Sequence, residues 1–412
     1  VKMDNSGQTL FSTCFGGLGN HAGWGIAVDD SGSIYITGST TAEDFPVANA
    51  YQSDFPGNPP NSSAFVTKLN SSGDGIIFST YLGGPGVDVG YDIEVDDSGY
   101  VYVTGAASDG FPTQNAFQPN NNGSFDAFIT KFIPSGGTLV YSTFLGGSDV
   151  DKSKGLSINS GGDVLLAGET ESSDFPAANA FQPGPGGGSM DAFAARLAFT
   201  GDSLVYSTYI GGSNYDRAEG IDTDPNGCAH ITGLTTSGDF PLQDALQPSW
   251  GGGNSEAFVT KLSEYGGSLE YSTYLGGSSL EGGSGIAVND VGKAYVTGYT
   301  WSEDFPTENP FNGNFNGGIK DGFIAIINSP GNALELSSYF GTADNENSRS
   351  IAIDPEGNAY ICGDWAELNT TGQDDAFLIK ISSDQDCGDL GFRSEIDGWQ
   401  FENKVENMWP ES

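Results

Sequence analysis

Short runs of alternating hydrophobic and polar residues, separated by glycine-rich turns, recur along almost the whole chain. One copy contains four such runs, at residues 284–289, 293–298, 321–327 and 334–340. Alternation with a period of two, bounded by Gly, Asn and Asp, is typical of β-strands. The first two runs flank a tight Asp/Asn-x-x-Gly segment, such as Asp354 to Gly357, which predicts a hairpin. Each repeat is therefore predicted to be a four-stranded antiparallel sheet.

The fourth run of each repeat is one phrase, which reads Tyr-Ser-Thr-Tyr-Leu-Gly-Gly at residues 271–277. Its serine recurs at residues 12, 79, 142, 207, 272 and 337, which gives a period of 63 to 67 residues. A fixed period of this size indicates one supersecondary unit copied many times, and four-stranded units copied radially form a β-propeller. We predict an all-β, six-bladed propeller with blades at about residues 23–82, 90–145, 154–210, 219–275, 284–340 and 349–383.

The two ends of the repeat region predict how the ring closes. Residues 9–15 have the sequence of a fourth strand without a preceding blade, and the last repeat ends after a third run at residues 376–381. We expect residues 9–15 to pair with this last blade, because the pairing removes two sheet edges that would otherwise be exposed. The propeller would then span residues 1–383. Residues 384–412 depart from the repeat and are expected to be a linker or the start of a following domain, in a piece of a longer protein.

Several phrases of the repeat resemble a known family. They are Tyr-Ser-Thr-Tyr-Leu-Gly-Gly, Gly-Ile-Ala-Val-Asp at residues 25–29, Tyr-Val-Thr-Gly at 102–105, Asp-Phe-Pro at 44–46 and Ala-Phe-Val-Thr-Lys at 64–68. Together they resemble the bacterial and archaeal β-propeller repeat family abbreviated SBBP. The family name implies seven blades, whereas six repeats are present here. The resemblance implies a secreted or surface-anchored multidomain protein, and it brings no catalytic residues.

The charge balance narrows the set of partners. The chain has 54 Asp and Glu against 14 Lys and Arg, a net charge of −40. Such a surface repels nucleic acids and anionic membranes and attracts cations. The four cysteines show neither metal-ligand spacing nor a disulfide framework, and two histidines argue against zinc or haem. We predict an extracellular or cell-surface location, with other domains or subunits of a surface assembly, and glycans, as partners and no direct membrane insertion.

One position, four residues after the Gly-Gly phrase, carries an acid in five of six repeats. Its occupants are His21, Asp88, Asp151, Asp216, Glu281 and Glu346. Carboxylates are the ligands that Ca²⁺ prefers, so the five acids are a candidate metal site. Acids are also common in turns because they hydrogen-bond to their own backbone. Both interpretations stay open, and Ca²⁺ is the one candidate cofactor.

A second position lies in the first run, which is expected to be the innermost strand. It is Ala27, Glu94, Ser157, Asp222, Ala287 and Ala352 in the six repeats. Glu94 and Asp222 interrupt a row of small residues. Carboxylates in a partly desolvated channel have raised pKa values, and two of them can perform glycosidase chemistry. A solvated channel lining is the more ordinary interpretation, so no residue is assigned as catalytic.

Long loops join the second and third runs. They carry two recurrent aromatic positions, such as Phe175 and Phe181, which are expected to fill gaps between blades, and the sixth repeat lacks such a loop. Trp250, Trp301 and Trp365 are candidate ligand-binding aromatics. Asn-x-Ser/Thr sites at Asn61, Asn70, Asn122 and Asn369 are candidates for glycosylation. The third run carries a recurrent cation, as at Lys68 and Lys261, which predicts ion pairs with acids.

The sequence contains no Gly-x-Ser-x-Gly elbow and no phosphate-binding loop. We therefore predict a non-catalytic structural or adhesive propeller module of a larger extracellular or cell-surface protein. A glycan- or calcium-dependent binding module is the alternative. A glycoside hydrolase or lyase acting through Glu94 and Asp222 is the third hypothesis.

Overall fold

The computed structural model describes residues 1–4, 7–366 and 375–382. Every regular element in this part of the chain is a β-strand. Two short strands, β1 (Lys2–Met3) and β2 (Thr9–Phe11), pair with each other. Six further sheets follow, one for each repeat, and their strands are arranged in the order of the chain.

The first three sheets each have four antiparallel strands. The first contains β3 (His21–Val28), β4 (Ile34–Thr40), β5 (Ser63–Leu69) and β6 (Ile76–Leu82). The second contains β7 (Asp88–Val95), β8 (Val101–Ala107), β9 (Asp126–Phe132) and β10 (Leu139–Leu145). The third contains β11 (Asp151–Ile158), β12 (Val164–Thr170), β13 (Asp191–Leu197) and β14 (Leu204–Ile210).

The next two sheets repeat this plan and the last has three strands. The fourth contains β15 (Asp216–Thr223), β16 (Ala229–Thr235), β17 (Glu256–Leu262) and β18 (Leu269–Leu275). The fifth contains β19 (Glu281–Val288), β20 (Ala294–Thr300), β21 (Asp321–Ile327) and β22 (Leu334–Phe340). The sixth contains β23 (Asn345–Ile353), β24 (Ala359–Ala366) and β25 (Asp375–Ile381). The fold is an all-β, six-bladed β-propeller, as the sequence predicts.

The first strand of each repeat begins a few residues before the predicted blade start. The cause is a break in register against the second strand, for example between Gly23 and Gly25 and between Gly90 and Asp92. An extra residue at such a bulge leaves the strand free to continue. This continuation places the recurrent acid at, or next to, the first residue of the strand.

The middle strands explain why Ser and Thr recur among hydrophobic residues. Every residue of β8 and β9 is buried, so their side-chain hydroxyls need partners inside the sheet. Thr104 Oγ1 donates a hydrogen bond to the carbonyl oxygen of Phe128 at 2.6 Å. The hydroxyls of Thr130 and Ser142 lie 2.8 Å apart. The Ser of the recurrent phrase therefore links the third and fourth strands.

Neighbouring sheets are joined through a glycine turn. The aromatic residue at the third position of the fourth strand packs over the glycine between the third and fourth strands of the next sheet. A Cβ added to Gly201, for instance, would lie 2.3 Å from Cγ of Tyr141. Only glycine leaves room for the ring. The same packing occurs in the pairs Phe78/Gly136, Tyr206/Gly266 and Tyr271/Gly331.

The N-terminal segment does not close the last blade. β2 pairs with β1, and the described part of the sixth sheet consists of β23, β24 and β25 alone, so the prediction that residues 9–15 complete that sheet is wrong. The segment does dock on the first sheet. Phe11 packs over Gly73, and Thr13 Oγ1 donates to the carbonyl oxygen of Gly73 at 2.7 Å. Lys2 and Met3 form β1, which is the strand partner of β2.

The chain divides into two compact units. One comprises Val1–Ile231, Thr235–Pro241 and Lys261–Leu269, and the other comprises Thr232–Leu234, Leu242–Thr260 and the described residues from Glu270 onward. In the first unit, core residues of adjacent sheets mix, as Phe78 and Leu82 do with Val103 and Phe132. In the second unit, Val259 and Leu275 pack with Val296 and Ile327 in the same manner.

Candidate functional site

The five recurrent acids are buried where each first strand begins. Asp88, Asp151, Asp216 and Glu281 have no exposed surface, and Glu346 is 4% exposed. Their carboxylates accept hydrogen bonds from the turn that precedes the strand. The Gly84 amide donates to Asp88 at 2.7 Å and the Thr342 amide donates to Glu346 at 2.9 Å. The recurrent acid therefore stabilises the turn that precedes its strand.

A second acid faces the recurrent acid at four of the junctions between sheets. It is the first residue of the third strand in the preceding sheet. The resulting pairs are Asp126/Asp151, Asp191/Asp216, Glu256/Glu281 and Asp321/Glu346. A glycine separates the two carboxylates, since a Cβ added to Gly146 would lie 2.7 Å from both Asp126 Oδ1 and Asp151 Oδ2. These partner acids were not predicted from the sequence, although an acid opens the third run in four of these repeats.

The paired carboxylates lie in a desolvated environment. Burial raises the pKa of Asp88 and Asp151 to about 6, and it raises the pKa of Asp191, Glu256 and Asp321 to about 7. The partner acid adds to the rise, as Asp216 does for Asp191 and Glu281 does for Glu256. Buried carboxyl groups of this kind need a proton, hydrogen-bond donors or a cation.

Hydrogen-bond donors satisfy only part of these carboxylates. Ser172 Oγ donates to Asp151 at 2.9 Å, and Thr300 Oγ1 donates to Glu281 at 2.8 Å. Four buried oxygens accept no hydrogen bond from the described residues: Asp151 Oδ1, Glu281 Oε2, Asp321 Oδ1 and Glu346 Oε2. None of the ion pairs in the described part of the chain includes a paired acid. Within the same residues, no group of three or more His, Cys, Asp and Glu side chains is arranged to hold a metal ion.

Glu94 and Asp222 line one cavity of about 500 Å³ in the first unit. Ser157 also lines it and donates to Asp222 Oδ1 at 3.0 Å. Burial raises the pKa of Glu94 to about 8, and the negative charges of Asp92 and Asp222 add to the rise. The cavity thus contains a carboxyl group that holds its proton near neutral pH.

The three candidate tryptophans lie on separate elements. Trp250 packs edge-on against Tyr274 with ring centroids 5.6 Å apart, as Phe55 packs against Tyr81 at 5.5 Å. Trp250 therefore occupies a loop position where other repeats have a packing aromatic. Trp301 follows β20 and is 42% exposed, whereas Trp365 is half-buried on β24.

The candidate glycosylation sites differ in their surroundings. Asn122 is exposed. The side-chain amide of Asn61 donates to Pro85 O at 3.1 Å, and that of Asn70 donates to Asp74 Oδ1 at 2.8 Å. Asn369, Cys387 and the predicted linker at 384–412 lie outside the described residues. Cys14, Cys228 and Cys362 form no disulfide. Among the described residues, no helix has the length and hydropathy needed to cross a membrane.

Five stretches of the chain match a known repeat family. The beta-propeller repeat SBBP matches residues 11–46, 77–112, 205–241, 270–306 and 337–364. The chain contains SBBP repeats. Each SBBP match contains all or nearly all of the fourth-strand phrase and of the two strands that follow it, and so includes the recurrent acid position. Residues 113–204 are outside the matched stretches, but they contain β9 and β10 of the second sheet and β11, β12 and β13 of the third, and both sheets have the same four-stranded plan.

One curated relative is the regulatory protein FlaEY from Caulobacter vibrioides, which is 22% identical over 382 residues. The match covers 88% of this SBBP-repeat chain but only 38% of FlaEY. Among solved structures, a glucose dehydrogenase matches with a TM-score of 0.44 and 13% identity, over 88% of this chain and 96% of that one. An ulvan lyase matches with a TM-score of 0.42 and 10% identity, over 87% and 78%. Likenesses of this degree carry no inference about activity.

Proposed function

We propose that this chain is a non-catalytic structural or adhesive propeller of a secreted or cell-surface protein. The burial of the recurrent acids carries the proposal, because all five are at most 4% exposed and four of them accept hydrogen bonds from the turn that precedes their strand. A catalytic acid must reach its substrate, and these side chains do not. The recurrent acids therefore stabilise the junctions between sheets.

The location is tested on cells of the source organism. Antibodies raised against the purified chain should label intact cells, or the protein should be recovered from the medium. A cytoplasmic protein serves as the control for cell lysis. Labelling that needs permeabilised cells, without any protein in the medium, contradicts the proposal.

One observation favours a second candidate, a glycoside hydrolase or lyase. Glu94 and Asp222 share a cavity, and the pKa of Glu94 is raised to about 8, as a general acid requires. Incubation with a panel of neutral and acidic polysaccharides, followed by assays for reducing ends and for unsaturated sugars, separates the candidates. We expect no product. Product that disappears in the Glu94→Gln variant, but not in Asp30→Asn, would establish the enzyme instead.

A further inference from the structure

Two unpartnered oxygens converge at the junction between the fifth and sixth sheets. A Cβ added to Gly341 would lie 2.6 Å from Glu346 Oε2 and 3.2 Å from Asp321 Oδ1. Both side chains are buried, and neither of these oxygens accepts a hydrogen bond from the described residues. The other oxygen of each group is occupied: Thr342 donates to Glu346 Oε1, and Asn316 donates to Asp321 Oδ2. The turn thus fixes both carboxylates with their free oxygens towards one point.

The junction between the fourth and fifth sheets has one unpartnered carboxylate oxygen, with further oxygens around it. A Cβ added to Gly276 would lie 2.7 Å from Glu281 Oε2, which has no partner, and 3.3 Å from Glu256 Oε2, which accepts from Gln247 Nε2 at 2.7 Å. Backbone carbonyl oxygens lie near the Glu256 carboxylate. A Cβ added to Gly251 would lie 2.5 Å from Gly277 O, 3.2 Å from Gly276 O and 2.9 Å from Glu256 Oε1. Glycines leave the space among these oxygens open.

No cationic side chain compensates these charges in the described part of the chain. The Lys and Arg residues that form ion pairs there bind other acids, as Lys261 binds Asp224 and Lys293 binds Glu335. A buried, unpaired carboxylate is strongly unfavourable, and two facing each other are worse. The remaining means of neutralisation are a shared proton and a bound cation.

We propose that the chain binds Ca²⁺ at these two junctions, one ion between Glu256 and Glu281 and one between Asp321 and Glu346. All the converging atoms are oxygens, which suits a hard cation, and Ca²⁺ accepts six to eight oxygens in irregular geometry. Two carboxylates balance its charge. Backbone carbonyl oxygens complete the protein ligands at the first of the two sites.

The Asp191/Asp216 junction shows where hydrogen bonds replace a cation. At Asp191/Asp216 both acids have shorter side chains, and Asp216 accepts from Thr235, Ser237 and the Gly212 amide. Neither acid of this pair has a buried oxygen without a partner. Hydrogen bonds therefore suffice there.

The experiment measures calcium on the whole chain. After treatment with EDTA and desalting, the chain is titrated with CaCl₂ and examined by native mass spectrometry and calorimetry, with the double variant Glu281→Gln/Glu346→Gln in parallel. We expect two ions to bind to the unmodified chain and their affinity to fall at least tenfold in the variant. Asp30→Asn/Asp202→Asn, at two exposed acids, is the charge-matched control and should bind as the unmodified chain does. Absence of bound calcium, or equal binding by the double variant, would overturn the proposal.

A thermal measurement separates calcium binding from a shared proton. In CaCl₂ the unmodified chain should have the higher Tm, whereas in EDTA the double variant should have an equal or higher Tm, because it lacks two buried charges. Calcium should shift the Tm of the unmodified chain by several degrees, and KCl of equal ionic strength should not. If the order of the two proteins is the same in CaCl₂ and EDTA, the acids are structural and the proposal fails. If the variant does not fold, the calcium stoichiometry of the unmodified chain decides.

Discussion

The recurrent cation of the third strand holds the hairpin turn of its own sheet. Lys68 Nζ lies 3.3 Å from Asp29 Oδ2 and 4.7 Å from the centre of the Tyr35 ring. Lys261 Nζ lies 2.9 Å from Asp224 Oδ2, in a more buried setting. The expected ion pairs are thus formed at Lys68 and Lys261, whereas Lys131 Nζ lies 4.5 Å from the centre of the Tyr100 ring. In the fifth sheet Ile326 replaces the cation and Asn289 replaces the acid. Both charges are therefore absent together.

This paired replacement predicts strong coupling between Asp224 and Lys261. Lys261→Ile leaves a buried carboxylate without its cation and should lower the free energy of unfolding by about 3–5 kcal/mol. The double variant Asp224→Asn/Lys261→Ile copies the fifth sheet and should recover most of that loss. Urea unfolding of both single variants and the double variant measures the coupling. Additive losses would show that the two side chains act independently.

The raised pKa of Glu94 predicts a dependence of stability on pH. The folded chain binds this proton more tightly than the unfolded chain, whose Glu titrates near 4.3. The contribution of protonated Glu94 to the free energy of unfolding is therefore full below about pH 4 and is lost as pH rises through about 8. Glu94→Gln should be more stable than the unmodified chain at pH 8, by about 1–2 kcal/mol after solvent screening, and similar at pH 4. Unfolding in urea at both pH values, with exposed Asp30→Asn as the control, tests this; an unchanged pH slope contradicts it.

In four pairs of neighbouring sheets, a glycine turn of the later sheet contacts the aromatic residue of the earlier sheet's fourth strand. Gly201 has a φ of +79° and lies under Tyr141, whereas Gly162 has a φ of +80° with nothing nearer to an added Cβ than 3.7 Å. Alanine at Gly162 should cost about 1–2 kcal/mol for its left-handed backbone alone. Alanine at Gly201 should cost a further 1–3 kcal/mol, roughly, because the ring must move. Thermal unfolding of both variants compares them, and equal losses would mean that the ring contact contributes nothing.

The strands could be predicted from the sequence because their signals are local. Alternation and the Asp/Asn-x-x-Gly turns act within one repeat, so the sheets follow directly. The acid pairs depend on a contact between sheets, and Asp126 and Asp151 meet only through the fold. The strand at residues 9–15 is ambiguous for another reason. The repeat phrase at residues 11–17 accounts for the packing of Phe11 against the first sheet. It does not determine which strand pairs with β2.

Over the whole molecule, the excess of 40 negative charges should make stability depend on salt. Acids outnumber cations by 54 to 14, so most pairs of surface charges repel each other. The screening length falls from about 30 Å at 0.01 M to about 8 Å at 0.15 M ionic strength. Raising NaCl over this range, in EDTA to exclude calcium, should therefore raise the Tm, and most of the rise should occur at low salt. Differential scanning calorimetry at constant pH makes the measurement. A Tm that falls with NaCl would show that the few ion pairs, such as Arg196 with Asp163 at 2.8 Å, outweigh the general repulsion.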